Sequence, residues 1–148
     1  SLKPVGRLDK DSTGLLILTN DGDLINDLTH PSVKVPKVYL VSIDGRIHPH
    51  QIEQMAAGIE IEKGKTAYAD VIVLEADNKH TMMQITLYQG LNRQIRKMFE
   101  HLNFEVKSLK RIQHATISLE GLKRGQFKPI KPQQIKELRN FLNRIAAR

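Results

Sequence analysis

Short apolar runs separated by turn-forming residues follow one another along the first ninety residues of the chain. Runs at residues 15–19, 38–43, 67–75 and 81–88 are rich in β-branched, aromatic and other apolar residues, so they predict strands. Asp77-Asn78-Lys79 separates the last two runs and is typical of a hairpin connection. The pattern therefore predicts a sheet whose strands are joined mainly by hairpins.

Other segments space their apolar residues three and four positions apart, as amphipathic helices do. A short helix is predicted between Asp21, a capping residue, and His30, which precedes a proline. Longer helices are predicted at residues 48–57, 92–103 and 132–147.

Two further strands, at residues 104–109 and 115–119, are predicted on either side of a basic segment, Lys110-Arg111. We find no repeat, no low-complexity segment and no internal linker in the 148 residues. The expected fold is a single α+β domain with a mixed, mainly antiparallel sheet and flanking helices.

The charge of the chain bears on its partners. Lys and Arg outnumber Asp and Glu by 23 to 16, which gives a formal net charge of +7 and a pI near 9.7. Such an excess favours a polyanionic partner, nucleic acid rather than a membrane surface, although a basic protein with a merely solvated surface stays an alternative. The chain has no cysteine, no long apolar run and no signal peptide, so we expect a cytoplasmic protein without thiol chemistry.

Asp9 stands between a basic residue and a loop rich in Asp, Ser, Thr and Gly. Taken alone, it is more typical of a turn hydrogen bond than of catalysis. Asp9-x-Asp11-x-Thr13-Gly14 resembles the first half of a calcium loop, but Asn20 stands where such a loop needs a bidentate glutamate. We predict no metal site.

The predicted helix at 92–103 has two faces. Ile95, Met98 and Phe99 lie on an apolar face, whereas Arg93 and Arg96 lie three positions apart on the other. A basic helix face is usually solvated. Beside a sheet-anchored aspartate, however, it could supply a guanidinium that holds the carboxylate.

Several of these stretches together resemble the pseudouridine synthases, specifically the RsuA/RluB/RluE/RluF branch and within it the RluF type. The matching stretches are GRLDKDSTGLLILTNDGDL at 6–24, HPSVKVPKVYLVSIDG at 30–45, GLNRQIRKMFEH at 90–101, FEVKSLKRI at 104–112 and, in outline, GLKRGQF at 121–127. The resemblance implies the fold of that family's catalytic domain. It also implies conversion of a specific uridine to pseudouridine, most closely in large-subunit ribosomal RNA.

The resemblance implies a role for each matching residue. Asp9 matches the catalytic nucleophile, which attacks or assists at the anomeric carbon while the uracil–ribose bond breaks. Tyr39 matches the tyrosine that stacks on the target base and helps to remove the C5 proton. Arg96 matches the residue that ion-pairs with the nucleophile, Leu109 an aliphatic wall of the uracil pocket, and Arg7 an arginine that contacts RNA.

Charge and position suggest further contacts with RNA phosphates. These candidates are Lys10, Arg93, Lys97, Lys110 and Arg111, which we expect to form, together with Arg7, one basic face around the nucleophile. The family needs no metal or organic cofactor, so none is expected.

The extent of the chain differs from the family pattern. Members of this branch usually carry an N-terminal S4 RNA-binding domain and a Lys-Pro-x-Gly segment, neither of which is found here. We therefore expect an N-terminally truncated catalytic domain at residues 1–148, acting as a monomer on ribosomal RNA, with transfer RNA as a possible second substrate. A non-catalytic RNA-binding module in ribosome assembly, or a small basic hydrolase, are the alternatives.

Overall fold

The computed structural model describes residues 1–146, which form four helices and ten strands. In chain order these are β1 (Lys3–Pro4), β2 (Thr13–Gly14), β3 (Leu18–Thr19), α1 (Gly22–Thr29), β4 (Lys37–Asp44), α2 (Pro49–Ala57), β5 (Ile59–Glu62), β6 (Lys65–Ala67), β7 (Asp70–Ala76), β8 (His80–Leu87), α3 (Gln94–His101), β9 (Val106–His114), β10 (Ile117–Ser118) and α4 (Pro132–Ala146).

The main sheet has six strands, five of them in the order β10-β9-β4-β8-β7 with antiparallel neighbours. The sixth, β2, pairs with β9 in parallel, and two small sheets are formed by β1 with β3 and by β5 with β6. The predicted α+β fold with a mixed, mainly antiparallel sheet is therefore confirmed. The hairpin at Asp77-Asn78-Lys79 is also confirmed, since β7 and β8 pair on either side of it.

The apolar side chains form two separate clusters. The first packs one face of the sheet, including Val41, Met83 and Ile85, against α2 and α3. The second joins α1, α4 and the segment around Leu15 and Ile17. The predicted faces of α3 and α4 are thus buried in different clusters. Position 147, the predicted end of the last helix, lies outside the described residues.

Capping explains why α1 begins where the sequence predicted. The Asp21 carboxylate accepts hydrogen bonds from the backbone N–H groups of Asp23, at 3.0 Å, and Leu24, at 3.2 Å. Those groups have no partner inside the helix, so the cap satisfies two of its free donors.

Three strand predictions need correction. The run at 15–19 is not one strand: β2 ends at Gly14, β3 begins at Leu18, and the two strands belong to different sheets. The run predicted from 67 is divided between β6 and β7, and the β5–β6 hairpin was not predicted. Lys110 and Arg111 do not separate two strands, because β9 runs through both of them.

Gly14 makes the pairing of β2 with β9 possible. Thr13 lies opposite Lys110 and Gly14 opposite Arg111, and the Leu15 N–H donates to the Arg111 carbonyl at 2.8 Å. Gly14 has a φ of +111°, and a Cβ there would stand 2.2 Å from the Arg111 carbonyl oxygen. A side chain at this position would therefore push β2 away from the sheet.

We expect Gly14→Ala to lower the free energy of unfolding by about 3 kcal/mol, because the methyl group meets rigid backbone in a strained conformation. Urea denaturation would measure it. Gly22→Ala is the matched control, since a Cβ at Gly22 meets no atom within 4 Å. Equal stability of the two variants would contradict the assigned role of Gly14.

Candidate active site

A pocket of about 360 Å³ opens where the two apolar clusters meet. Val5 and Leu28, from the second cluster, line one side, and Leu87 and Ile95, from the first, line the other. The pocket thus lies between separately packed parts of the fold, in the position where binding sites are commonly found.

Four of the residues singled out by resemblance line this pocket: Arg7, Asp9, Tyr39 and Leu109. Asp9 is half-buried in the loop before β2, where its carbonyl accepts from the Ser12 N–H at 2.9 Å in a tight turn. Tyr39 is half-buried on β4, and Leu109 is buried on β9. Residues that lie up to a hundred positions apart in the sequence therefore share one cavity with a carboxylate at its wall.

Arg96 does not make the expected contact. None of the ion pairs among residues 1–146 includes Asp9. Instead, Arg96 Nη2 donates to the backbone carbonyl of Asp11 at 2.8 Å, and Arg96 does not line the pocket. The turn that begins at Asp9 presents this carbonyl to α3, so Arg96 holds the loop that carries the carboxylate rather than the carboxylate itself.

Arg93 holds the same loop. It lies 3.4 Å from the Asp11 carboxylate and caps α3 with a left-handed backbone, φ +52°, which non-glycine residues seldom adopt. Together with Arg96 it places two guanidinium groups on Asp11. The ion pair is partly exposed and contributes little by itself, so the backbone hydrogen bond from Arg96 is the more specific contact.

The candidate phosphate contacts do not form one face. Lys10 and Lys110 are exposed, but Lys97 is paired with Glu62 of β5 and lowers the pKa of that carboxyl through a hydrogen bond. Arg111 is only 3% exposed and lies in the pocket, so it is not on the exposed surface with Lys10 and Lys110, and its contact with RNA phosphate stays a prediction. Its place inside a continuous β9, with its side chain directed inward, explains the difference.

Sequence reasoning missed two basic residues of the pocket, Lys37 and His114. Burial, aided by the charge of Arg111, lowers the pKa of Lys37 to about 8. Burial together with the charges of Arg111 and Lys37 lowers the pKa of His114 to about 3. Lys37 was detectable, because it precedes Tyr39 by two positions on one strand and so faces the same way.

The Tyr39 hydroxyl has a raised pKa, mainly because it is buried, and the Asp9 charge adds to the effect. The positive charge of Arg111 opposes it. Tyr39 pairs with Arg111 on one neighbouring strand and with Ile85 on the other, so its position in the sheet is fixed from both sides. The ring is thus held as a neutral, rigid surface beside the carboxylate.

Metal binding and membrane crossing find no support in the described residues. Within 1–146, no three or more histidine, aspartate or glutamate side chains are grouped as metal ligands. None of the helices in that range is long and apolar enough to cross a membrane.

The shifted His114 predicts an acid-dependent loss of stability. Between pH 6.5 and about 3 the unfolded chain protonates this histidine but the folded chain does not, so stability falls as pH falls. The loss approaches about 1.4 kcal/mol per pH unit. His114→Leu should therefore show a shallower fall in unfolding free energy than the wild type between pH 6.5 and 4.5, measured by urea denaturation. Parallel curves would contradict the buried neutral histidine.

Comparison with known proteins places this chain in a family. The family model for RNA pseudouridylate synthase matches residues 1–101. The chain is 41% identical over 138 residues to ribosomal large subunit pseudouridine synthase B of Bacillus subtilis, covering 92% of this chain and 57% of that protein. It is also 41% identical over 135 residues to the dual-specificity RNA pseudouridine synthase RluF of Escherichia coli, covering 91% and 45%.

A solved structure agrees with these relatives. A crystal structure of a pseudouridylate synthase superposes with a TM-score of 0.84 at 28% identity, over 93% of this chain and 59% of the other. The chain spans about half the length of the curated relatives it matches. From the family model, the sequence identities and the shared fold, we conclude that the chain belongs to the RNA pseudouridine synthase family, in the branch that contains the RluB and RluF proteins.

Proposed function

We propose that this protein isomerises a uridine in RNA to pseudouridine, with Asp9 as the nucleophile. The observation that carries the proposal is the convergence of Asp9, Tyr39 and Leu109 on one pocket in a chain of this family. We propose that residues 1–148 are the catalytic domain of such an enzyme.

The proposed chemistry balances without a co-reactant. An Asp9 oxygen forms a bond to the anomeric carbon as the bond from that carbon to N1 breaks, and the electron pair stays on the uracil. The uracil turns until C5 faces the anomeric carbon, the new C–C bond forms and Asp9 leaves. C5 then loses its proton and N1 gains one, so the product is an isomer of the substrate.

Tyr39 and Leu109 suit the two faces of a flat base. The rigid ring of Tyr39 offers a stacking surface, and its neutral hydroxyl can relay the C5 proton by passing its own proton on as it receives the one from C5. Leu109 offers an apolar wall that favours a base over water. A base must leave its stack to enter, which costs a few kcal/mol, and these contacts offset that cost.

The roles of Arg93 and Arg96 follow from their contacts with Asp11: an ion pair with its carboxylate and a hydrogen bond to its backbone carbonyl. A nucleophile works when its position is fixed before the substrate binds, and these arginines fix the turn in which Asp9 lies. We therefore propose that Arg96 is a positioning residue in this chain. Asp9, free of an ion pair among the described residues, keeps both carboxylate oxygens available to the substrate.

Ribosomal RNA of the large subunit is the proposed substrate. The net charge of +7 suits a polyanion, and the relative from B. subtilis is named for the large ribosomal subunit. Arg7 lines the pocket while remaining exposed, so it suits a contact with RNA near the vacated stack; Lys10 and Lys110 suit phosphate contacts. We propose that the protein acts in the cytoplasm as a monomer.

Asp9→Asn should abolish pseudouridine formation, on the order of a thousandfold or more, because a carboxamide keeps the shape but not the nucleophilicity. Incubating unmodified ribosomal RNA with each variant and mapping pseudouridine would measure this. RNA affinity and unfolding free energy should stay close to wild type. Normal product from the Asn variant would overturn the assignment, whereas no product from wild type would favour a non-catalytic RNA-binding module.

Lys110→Ala should weaken RNA binding and reduce the slope of log K against log salt by about one, since one phosphate contact is lost. Lys97→Ala is the matched control, because Lys97 is already paired with Glu62. A salt series of binding measurements separates them. If Lys97→Ala changes the slope more than Lys110→Ala, the proposed RNA surface is misplaced.

A further inference from the structure

Three basic side chains of β4 and β9 line the pocket. Among residues 1–146, Asp9 is the one acidic residue that lines it, and it is ion-paired with none of the three. Arg111 and His114 are 3% and 2% exposed, and Lys37 is half-buried beside them. The Lys37 Nζ points towards loop 89–92: it lies 3.8 Å from where a Cβ on Gly90 would stand. Neither Lys37 nor Arg111 belongs to an ion pair among residues 1–146.

The hydrogen bonds of this cluster are also incomplete. Arg111 Nε donates to the Leu15 carbonyl at 3.0 Å, which anchors the side chain, but Arg111 Nη2 has no partner among the described residues. Neither ring nitrogen of His114 makes a hydrogen bond of good geometry among the described residues, although the Leu28 backbone lies close enough to oppose, as the smallest of the causes, the lowering of its pKa. A buried cation without a partner is costly, so a group that carries negative charge is the natural occupant of this space.

Burial decides which negative group fits. A phosphodiester continues into the RNA chain on both sides, so it cannot reach nearly inaccessible side chains without drawing the backbone in with it. A flipped base, by contrast, is the end of its branch and can enter a pocket completely. The occupant beside Arg111 is therefore the base, and the charge must arise on the base.

We infer that Lys37 and Arg111 stabilise the uracil anion that forms when the glycosidic bond breaks. The inference rests on the proposed function, because only heterolysis of that bond gives the base a negative charge. The electron pair of the broken bond spreads over N1 and the two exocyclic oxygens, which accept hydrogen bonds from the two cations. Such preorganised donors act where charge develops and so lower the barrier.

The pH behaviour of the pocket agrees with this assignment. The charged and titratable groups that line the pocket with Lys37 are Arg7 and Asp9 of the loop before β2, Tyr39 on the same strand, and Arg111 and His114 on β9. The pKa of Lys37 is about 8 and that of His114 about 3, so at neutral pH the ammonium is charged and the imidazole is neutral. An anion beside Lys37 would relieve the repulsion from Arg111 and hold the ammonium in its protonated form.

The first test compares Lys37→Met with Lys107→Met in single-turnover reactions at saturating RNA. Lys37→Met should slow the reaction about a hundredfold with little change in RNA affinity, as loss of a preorganised donor does. Lys107 lies outside the pocket and is paired with Glu105, so Lys107→Met should leave the saturated rate within about twofold. Circular dichroism and urea denaturation confirm that each variant is folded. Arg111→Lys, which keeps the positive charge, serves as a second variant that tests the other cation of the pocket.

The second test varies the base as a leaving group. With 5-fluorouridine at the target position the anion is more stable by itself, so Lys37→Met should slow loss of the N1 linkage by no more than about tenfold.

The wild-type rate should also fall as pH rises above about 8, where Lys37 loses its proton, and the variant should lack this fall. Equal slowing with both bases, or an unchanged pH profile, would overturn the inference.

These outcomes separate the two proposals. Product from the wild type but not from Asp9→Asn supports the nucleophile, whatever Lys37→Met does. A saturated rate of Lys37→Met within about twofold of the wild type would overturn the role of Lys37 and leave the proposed function intact.

Discussion

The pairing of two residues, Thr13 and Gly14, with Lys110 and Arg111 is the contact on which the site depends. It joins a loop from one apolar cluster to a strand of the main sheet, and it is parallel although the other pairs of that sheet are antiparallel. Only a residue without a Cβ fits so close to the β9 backbone. Because Asp9 lies just before this pairing and Leu109 just beside it, the same few hydrogen bonds that fasten the loop also set the width of the pocket.

The electrostatics of the pocket follow from where each charge is held. Arg93 and Arg96 are engaged with Asp11, at the outside of the loop, and so fix the turn without neutralising Asp9. Lys37 and Arg111 lie within the pocket and have no acidic neighbour to pair with other than Asp9 itself. One carboxylate thus faces an excess of positive charge across a cavity of molecular size. Holding these charges apart and unpaired lowers the stability of the folded state. It would favour the proposed reaction, in which an electron pair moves from one end of the cavity to the other.

The sequence predicted which segments form helices and strands better than it predicted which residues contact one another. The apolar faces of α3 and α4 and the cap of α1 depend on neighbours within one helix, so spacing sufficed. The run at 15–19 failed because its partners, β1 and β9, lie elsewhere in the chain. The resemblance singled out Asp9, Tyr39 and Leu109, and the structure brings these three to one pocket. It did not predict that Arg96 contacts the Asp11 carbonyl or that Arg111 is buried. From its charge alone a basic residue is expected to be exposed to solvent. Whether it is buried depends on the tertiary structure, which the sequence pattern does not give.

The pocket lies between two apolar clusters, so no single core holds all of its walls together. Each cluster holds its own elements through its own apolar contacts, whereas the walls of the pocket are joined by β2, by the loop that α3 holds and by β9, which continues from the first cluster to β10 of the second. A small separation of the clusters would therefore disperse the site while every helix and most of the sheet stay formed. In such a protein the heat lability of the site and the melting of its secondary structure are two distinct properties, and a spectroscopic melting temperature reports the secondary structure rather than the site.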